Sequence, residues 1–424
     1  MAEQNTRAGR NQFVDIMRGI AMLLVVLGHT MTGCTTDAET SFLFNIVWSL
    51  QMPLFILISG YVTRYSRDIQ DVAGLWKFVK RRTIAYLLPW LVWSLLVRGI
   101  IFGEGNFLNV KWLLWHMDSG YWFLATIWTI SMIFGLSNFL ARKIAKESGI
   151  KRQLFILAFY LVGLAVLAAI GLVAGLSFFA IKLTLYYMPF YFAGYLYGQY
   201  RDWIMEIKWS KTAVDIVIAV CLAIWLFIMT RYHLYALPDN GMAIALRALS
   251  SIAGCIAVCG LCNGLFAMTS KNLVGGGTAQ LVRQTLPGDL SYPLPVAESG
   301  ETSRGTDDRK YSGNSSYGDE LSDHGNIDSS CGQDIKFEQN VETDSVWKQR
   351  IGNGFLWAGK KSLEIYMVHG LLLDVLKPEI KPTFPSIQGY GLIIGNFAIT
   401  IILCVIVISL MSQSRILKKI LGMK

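Results

Sequence analysis

Three ionisable residues, Asp15, Arg18 and His29, lie in the first long apolar run of the chain. On an α-helix, Arg18 and His29 are about 20° apart and Asp15 is about 40° from His29. The three side chains therefore share one stripe, which rises about 16 Å from Arg18 to His29. Because ionisable groups in apolar surroundings are costly, this stripe predicts a functional path along the helix. The alternative is a flanking arginine that reaches for water and a histidine that only packs.

A second histidine lies near the C-terminus of the sequence. Ser362, Tyr366 and His369 recur at i, i+4 and i+7, which places them on one helical face. His29 and His369 fall about 9 Å and about 7–8 Å beyond the centres of their apolar runs, so we predict that both imidazoles line one cavity. Histidine can take the proton of a reacting hydroxyl as a base, or it can act as a nucleophile. Glu364, about 140° from His369, is predicted to face elsewhere.

A group of basic residues follows the second apolar run. That run contains Gln51-Met52-Pro53, where we expect a break in the helix because proline lacks an amide N–H. It ends in Ser59-Gly60-Tyr61, and the basic residues that come next are Arg64, Arg67, Lys80, Arg81 and Arg82. We predict that they form a cationic rim that binds the phosphates of a ligand. The alternative is the usual positive charge of a cytoplasmic loop. The chain has no P-loop or dinucleotide glycine motif, which excludes a soluble nucleotide-binding fold.

The elements that position these residues are membrane helices. Of the 424 residues, 53% are hydrophobic and only 16% are charged, which excludes an ordinary soluble enzyme and a disordered chain. A bilayer crossing needs about 20 apolar helical residues, so we predict an all-α bundle of about ten transmembrane helices. The apolar runs lie near 13–34, 42–63, 83–103, 119–140, 154–176, 179–199, 212–230, 242–268, 354–375 and 388–411.

The charges between these runs predict the orientation of the bundle. The short loops on one side carry twenty Lys and Arg residues and those on the other side carry four, so both termini are predicted to be cytoplasmic. We interpret Arg98, Lys182 and Arg247, near outer helix ends, as side chains that snorkel to the interface.

One stretch of the sequence differs from the rest in composition. Residues 271–350 contain thirteen acidic and eight basic residues and few large apolar ones, so this stretch cannot build a core. We predict helices one to eight within 1–270, a flexible acidic cytoplasmic loop at 271–350, and helices nine and ten within 351–424.

We predict no metal site. Cys255, Cys259 and Cys262 recur at i, i+4 and i+7, but no histidine accompanies them. Small, polarizable side chains that pack between helices explain this spacing better than metal ligands do.

Several of these stretches are similar to one protein family. The segment from Asp15 to His29 resembles the first helix of the acyltransferase 3 family, with its Arg-x10-His signature. The other segments that resemble this family are Gln51 to Tyr61, Arg81 to Trp90, Trp122-Phe123-Leu124, and Ser362 to His369. In many sugar-acetylating members a histidine precedes the Met-Pro pair, where this chain has Gln51. The resemblance is clear for helices one to four and nine, rests on hydropathy alone for five to eight, and leaves out 271–350.

The resemblance implies ten core helices in the cell membrane and the transfer of an acyl group, usually acetyl, from cytoplasmic acyl-CoA. The acceptor implied is a hydroxyl of an extracytoplasmic or lipid-linked carbohydrate, as in polysaccharide modification at the cell envelope. The predicted partners are acyl-CoA, the glycan and membrane lipids, with no nucleic acid. The predicted catalytic residues are His29, Arg18, His369 and Asp15, and the predicted donor-binding residues are Arg64, Arg81, Arg82, Ser59 and Tyr61. The alternative is a transporter of a small anionic metabolite, although no inverted repeat is evident.

Overall fold

The computed structural model describes residues 12–66, 69–117, 120–145, 149–207, 211–274 and 352–414. Within these ranges the chain is helical almost throughout, and its isolated β-bridge joins Thr36 and Thr383. The α-helices are α1 (Gln12–Cys34), α2 (Phe42–Val62), α3 (Val72–Leu91), α4 (Val110–Trp115), α5 (Trp122–Ile144), α6 (Ile150–Ala174), α7 (Ile181–Glu206), α8 (Lys211–Arg231), α9 (Gly241–Val274), α10 (Ser362–Leu376) and α11 (Ile387–Gln413). Helical residues 352–360 precede α10. Short 3₁₀ turns lie at Ala38–Thr40, Thr63–Tyr65, Gly105–Leu108 and Phe178–Ala180.

Eight helices in the described ranges are long and apolar enough to cross a membrane, so the protein is an all-helical, multi-pass integral membrane protein. The predicted runs 179–199 and 354–375 are also helical, as α7 and as 352–360 with α10, but they are not among those eight. The total of about ten spans and the cytoplasmic termini therefore stay predictions.

The acidic segment lies largely outside the described residues. Helix α9 continues to Val274, so the first four residues of the predicted loop are helical, and 275–351 are not described. By its internal contacts the chain divides into one unit of Met1–Met268 with Gly354–Lys424 and a second unit of Thr269–Asn353. The candidate site described below belongs to the first unit, and the predicted three-part domain division stays a prediction.

Polar side chains at the loop ends begin several helices. Ser41 accepts a hydrogen bond from the Phe44 amide at the start of α2 (3.2 Å), and Asp71 accepts one from Gly74 at the start of α3 (2.7 Å). Asn240 begins α9 in the same way, accepting from the Ala243 amide at 2.8 Å. Each cap satisfies an amide that has no partner within its own helix.

The prolines affect their helices differently. After Pro89 the hydrogen-bonding pattern of α3 changes to a π-helix over Val92–Ile101, as expected where proline removes an amide donor. In contrast, α2 runs through Pro53 without interruption, and Gln51, Met52 and Pro53 are all buried. The predicted break in the second helix is therefore wrong, because the helix continues through Pro53 where its neighbours bury it.

The bundle has an inner and an outer set of helices. In the most apolar 18-residue stretch of each helix, 56% of α1 and 67% of α2 is buried. The buried share is only 17% for α8 and 22% for both α6 and α11. The exposed residues of the outer helices are large and apolar, among them Leu161, Phe227 and Ile402. The outer helices therefore present the apolar surface expected against lipid, and α1 and α2 form the protein-lined interior.

Glycines bring the inner helices close together. A Cβ atom at Gly60 of α2 would collide with the Tyr191 carbonyl of α7, and one at Gly194 of α7 would collide with the Leu57 carbonyl of α2. A similar contact, at Gly359, joins α1 to the helical residues 352–360. Close backbone approach through small residues is a common way for membrane helices to pack. Here it places α1 beside residues 352–360, which lead into α10 with the second histidine.

Candidate active site

Two histidines from opposite ends of the sequence meet in the interior of the bundle. Nδ1 of His29, on α1, lies 2.9 Å from Nε2 of His369, on α10. The rings are stacked, with centroids 5.1 Å apart and planes 25° apart. His369 is 3% exposed and His29 is partly buried. The structure thus brings together the two histidines for which the sequence predicts a common depth.

The backbone of α10 determines how protons are distributed over this pair. Nδ1 of His369 lies 2.9 Å from the carbonyl oxygen of Ile365. Because a carbonyl only accepts, this nitrogen carries a hydrogen, and Nε2 of the neutral ring is an acceptor. His29 then donates from Nδ1 to His369, which leaves the lone pair of the His29 ring on Nε2. Two hydrogen bonds thus run from the Ile365 carbonyl through His369 to His29. They leave Nε2 of His29 able to take a proton from a ligand or to attack a carbonyl carbon of a ligand.

Aromatic residues hold this pair in place. The Trp48 ring of α2 meets His29 edge-on, with centroids 6.1 Å apart. Tyr366 packs against His369 at 5.9 Å, and its hydroxyl accepts a hydrogen bond from the Phe123 amide at 3.3 Å. Tyr121 donates to the carbonyl of Met367 at 3.3 Å. These contacts join α2, α5 and α10 around the histidines, so the Trp122-Phe123-Leu124 segment supports the site rather than reacting.

A buried amide of α2 lies against α1 next to Gly28. Gln51 is 3% exposed, and its Oε1 has no hydrogen-bond partner among the described residues. A Cβ atom at Gly28, next to His29, would lie 2.7 Å from this oxygen and 3.0 Å from the Trp48 ring. Gly28 therefore leaves the space that lets Gln51 and Trp48 approach α1. A buried oxygen with no partner among the described residues is a candidate acceptor for a ligand hydroxyl.

The inner end of the α1 stripe holds an acid–base pair. Asp15 is 2% exposed, and its carboxylate lies 4.0 Å from the Arg18 guanidinium, which is 26% exposed. The buried Asp15 and the partly exposed Arg18 are one helical turn apart. Arg18 and His29 are joined along the helix, about 16 Å apart, rather than by a shared contact. Glu364, predicted to lie outside the site, pairs with Lys361 at 3.0 Å.

The structure describes all but one of the basic residues predicted to form the cationic rim. Ser59 donates to the Phe55 carbonyl of its own helix, and the Tyr61 hydroxyl lies 3.4 Å from that of Tyr65. Arg82 donates to the Tyr86 hydroxyl at 3.0 Å and stacks on Phe78, whereas Arg81 is exposed. The remaining rim residues are Arg64 and Lys80, which the structure describes, and Arg67, which lies outside the described residues.

Arg64 also lines a cavity of about 170 Å³, together with Arg152, Phe78, Tyr191 and Tyr195. This cavity lies between α3, α5, α6, α7 and the turn after α2, at the helix ends predicted to be cytoplasmic, and is called the inner cavity below. Arg152 is 7% exposed and donates to Asn138 at 3.1 Å, and Arg64 donates to Asp202 at 2.6 Å. In the sequence Arg152 was counted only among the loop charges. Its place in the first turn of an apolar helix is compatible with that role and with burial, so the sequence carries no signal that distinguishes them.

A second, larger pocket of about 420 Å³ lies at the opposite ends of the helices. It is lined by Phe44 and Trp48 of α2, by Glu39, by Tyr235 and Asp239 of the α8–α9 loop, and by Arg247 of α9. Asp239 pairs with Lys182 and, at 2.5 Å, with Arg247. Hydrogen bonds from Lys182 and Arg247 hold the pKa of the Asp239 carboxyl below its ordinary value. Lys182 and Arg247, interpreted from the sequence as snorkelling side chains, therefore both form ion pairs with this loop.

Arg98, also interpreted as a snorkelling side chain, forms two ion pairs. It pairs with Glu104 and Asp374, both at 3.0 Å, and stacks over the Phe107 ring at 4.6 Å. This network ties the end of α3 to α10. Among the described residues, no group of three His, Cys, Asp or Glu side chains could hold a metal ion.

Comparisons with known proteins agree with this architecture. A model of the acyltransferase 3 family, described as an acyltransferase domain, matches residues 11–270. Nodulation protein NolL of Sinorhizobium fredii (strain NBRC 101917 / NGR234) is 26% identical over 210 residues, which cover 44% of this chain and 48% of that protein. The chain thus matches about half the length of this relative. No solved structure matches it.

The matched residues include α1 with Arg18 and His29, α2 with Trp48, and all the residues that line the inner cavity. His369 lies outside the matched residues. The match covers well over half of the chain. With this match over a multi-pass helical bundle, the chain belongs to the acyltransferase 3 family of membrane acyltransferases.

Proposed function

We propose that this protein is an O-acyltransferase that moves an acyl group, in the first instance acetyl, from cytoplasmic acyl-CoA to a hydroxyl of an extracytoplasmic or lipid-linked carbohydrate. The observation that carries the proposal is the chain of hydrogen bonds from the Ile365 carbonyl through His369 to His29. It leaves a lone pair on Nε2 of His29, which is the group that removes the proton of an attacking hydroxyl.

In this mechanism His29 acts as a general base. The acceptor hydroxyl gives its proton to Nε2 of His29 as its oxygen bonds to the thioester carbonyl carbon. The C–S bond then breaks, and the proton passes to the leaving thiolate, so that free CoA and the O-acyl ester are the products. His369 is a positioning residue that stabilises the charge on His29, and Arg18 with Asp15 remain proposed participants along the donor's path.

The inner cavity supports a nucleotide-bearing donor. Its two guanidiniums suit phosphates, and its aromatic walls at Phe78, Tyr191 and Tyr195 suit a planar base. At about 170 Å³ it is smaller than the usual site of a whole small-molecule ligand, so it would hold one end of the donor, with Arg81 and Arg82 near its approach.

The distance to the histidines requires a long donor. Trp48, beside His29, and Arg64 are separated by sixteen residues along α2 and its final turn, a rise of about 24 Å. A ligand that binds at the inner cavity and reacts at His29 must therefore be long and thin. An acyl thioester on an extended pantetheine arm meets that requirement, which supports acyl-CoA over a compact donor.

The test is the consumption of radiolabelled acetyl-CoA by inverted membrane vesicles that were formed with or without a glycan extract enclosed in them as acceptor. His29→Ala should lower the acceptor-dependent rate by about 10²–10⁴-fold at matched expression, which is the usual cost of losing a general base. The matched control is His116→Ala, which removes an exposed histidine stacked on Trp112. Near-normal transfer by His29→Ala would exclude the assignment.

The same vesicles distinguish a base from a nucleophile. Without acceptor, a base leaves no acyl group on the protein, so the wild type should retain no label that hydroxylamine releases. Retained label that is lost in His29→Ala would make His29 the nucleophile. Movement of intact labelled substrate across the membrane, without CoA release, would favour the transporter instead.

A further inference from the structure

We propose that the larger pocket, which Phe44, Trp48 and Tyr235 line, is the acceptor site and binds a saccharide ring against Trp48 and Tyr235. The inference rests on the proposed function, since it names where the acceptor of that reaction binds. The pocket has a volume of about 420 Å³, within the usual range of small-molecule sites. It lies at the ends of α1, α2 and α9 that the loop charges place outside.

The walls of the pocket match the chemistry of a sugar. A pyranose ring presents C–H groups on its faces and hydroxyls around its edge. Trp48 stacks on Phe44 with centroids 4.5 Å apart, and it meets Tyr235 edge-on at 6.4 Å, so aromatic surface forms one side. Glu39 and Asp239 add carboxylate oxygens that accept hydrogen bonds from hydroxyls. The pKa of Asp239, held below its ordinary value, keeps that group an acceptor at neutral pH.

The position of Tyr235 depends on Arg247. This arginine donates to the carbonyls of Leu234 (2.9 Å) and Leu237 (2.7 Å) and to Asp239, and it lies over the Tyr235 ring at 5.5 Å. These contacts of Arg247 hold the α8–α9 loop in one conformation. Arg247 is a positioning residue, and the aromatic wall is pre-organised rather than assembled by the ligand.

The pocket is also joined to the histidine pair. Phe44, Trp48 and Gln51 recur at i, i+4 and i+7 on one face of α2, so that face runs from the pocket wall to the amide beside Gly28. Trp48 contacts both the pocket and the ring of His29. A sugar held against Trp48 would present an edge hydroxyl toward the unpartnered Oε1 of Gln51 and the base.

The first experiment measures the kinetic constants of the full chain in membrane vesicles. Tyr235 lines the pocket and makes no ring contact with His29. Tyr235→Ala should therefore raise the apparent KM for the glycan acceptor about tenfold and leave the KM for acetyl-CoA unchanged. Trp48→Ala should do the same and also lower kcat, while Trp48→Phe should recover most of the acceptor affinity. Trp203→Ala, an exposed tryptophan of α7, is the matched control. An unchanged acceptor KM in both alanine variants would overturn the proposal.

The second experiment does not depend on catalysis. Leu237→Cys places a thiol at the pocket wall, and its labelling by a maleimide is measured in open membrane fragments, with the parent chain as background. Methyl glycosides of common hexoses at millimolar concentration should slow labelling several-fold, and adding Tyr235→Ala should remove that protection. No protection by any glycoside overturns the acceptor site. Protection in a protein that never consumes acyl-CoA would contradict the proposed function while supporting a saccharide site.

Discussion

At the level of single residues, the histidine pair gives unequal roles to two chemically identical side chains. Each has one nitrogen in the contact between the rings, but only His369 has its other nitrogen bonded to a backbone carbonyl. That bond determines the tautomer of His369 and, through it, that of His29. Spacing in the sequence predicted that the two rings lie at one depth, but nothing in the spacing says which of them reacts.

The asymmetry predicts different effects of two substitutions at His369. His369→Ala should lower kcat by about 10–100-fold, the usual cost of losing a residue that orients a reactive imidazole, and should leave both KM values unchanged. His369→Gln should recover part of that loss, because its side-chain oxygen can accept from Nδ1 of His29. The measurement is acetyl-CoA turnover in vesicles at matched expression. A loss in His369→Ala as large as that in His29→Ala, without recovery by Gln, would make His369 a reacting group.

At the level of elements, the two cavities proposed as donor and acceptor sites lie where helix ends converge. The inner cavity draws Arg64 from the turn after α2, Asn138 from α5, and Arg152 from the first turn of α6. The predicted cationic rim took its members from neighbouring positions in the sequence, whereas this cavity combines residues from distant segments. Arg152 was missed because a basic residue near a helix start has the same appearance in sequence whether it faces solvent or a cavity.

This arrangement predicts which arginines act on the donor. Arg64→Gln and Arg152→Gln should each raise the KM for acetyl-CoA about tenfold or more without changing the acceptor KM, since a charge-assisted hydrogen bond to phosphate is lost. Lys143→Gln removes the same charge from an exposed site at the inner end of α5 and is the control. Because Arg152 is buried, expression and thermal stability of its variant must be compared with those of Arg64→Gln. Equal donor KM values in all three variants would refute a donor site at this cavity.

At the level of the whole molecule, the site is built from the two ends of the chain, with the acidic segment between them. Helix α9 ends at Val274, and helical residues resume at 352. The pair of His29 and His369 therefore forms only if the chain on either side of this segment packs together, as Gly359 does against the Asp15 backbone.

The composition of the segment predicts that it is dispensable for chemistry. Replacement of 275–350 by a Gly/Ser linker of about 20 residues should retain most transferase activity, because shortening a loop changes its closure entropy by only about 0.6 kcal/mol for each halving. Protease should cut the intact segment in inverted vesicles and not in intact cells. Cleavage from outside would reverse the predicted side of the loop, and loss of activity in a well-inserted variant would assign the segment a role in the reaction.

The sequence by itself determined the features that depend on local composition and period. Apolar runs of about 20 residues with few charges indicate membrane helices, since water-free lipid requires every backbone group of a spanning helix to be paired within its own segment. In the same way, the 3.6-residue period was enough to align Asp15, Arg18 and His29 on α1 and to place His369 on one face of α10. The resemblance to the family could be recognised on those same residues.

Only the tertiary structure decided the features that depend on contacts between distant segments. The tautomer of the histidine pair, the unpartnered oxygen of Gln51, the burial of Arg152 and the aromatic wall at Trp48 and Tyr235 each arise where helices far apart in sequence meet. Helical period gives the direction of a side chain relative to its own axis, but not which helix it faces. The continuity of α2 through Pro53 has the same cause, because packing against neighbouring helices outweighed the local tendency of proline to interrupt a helix.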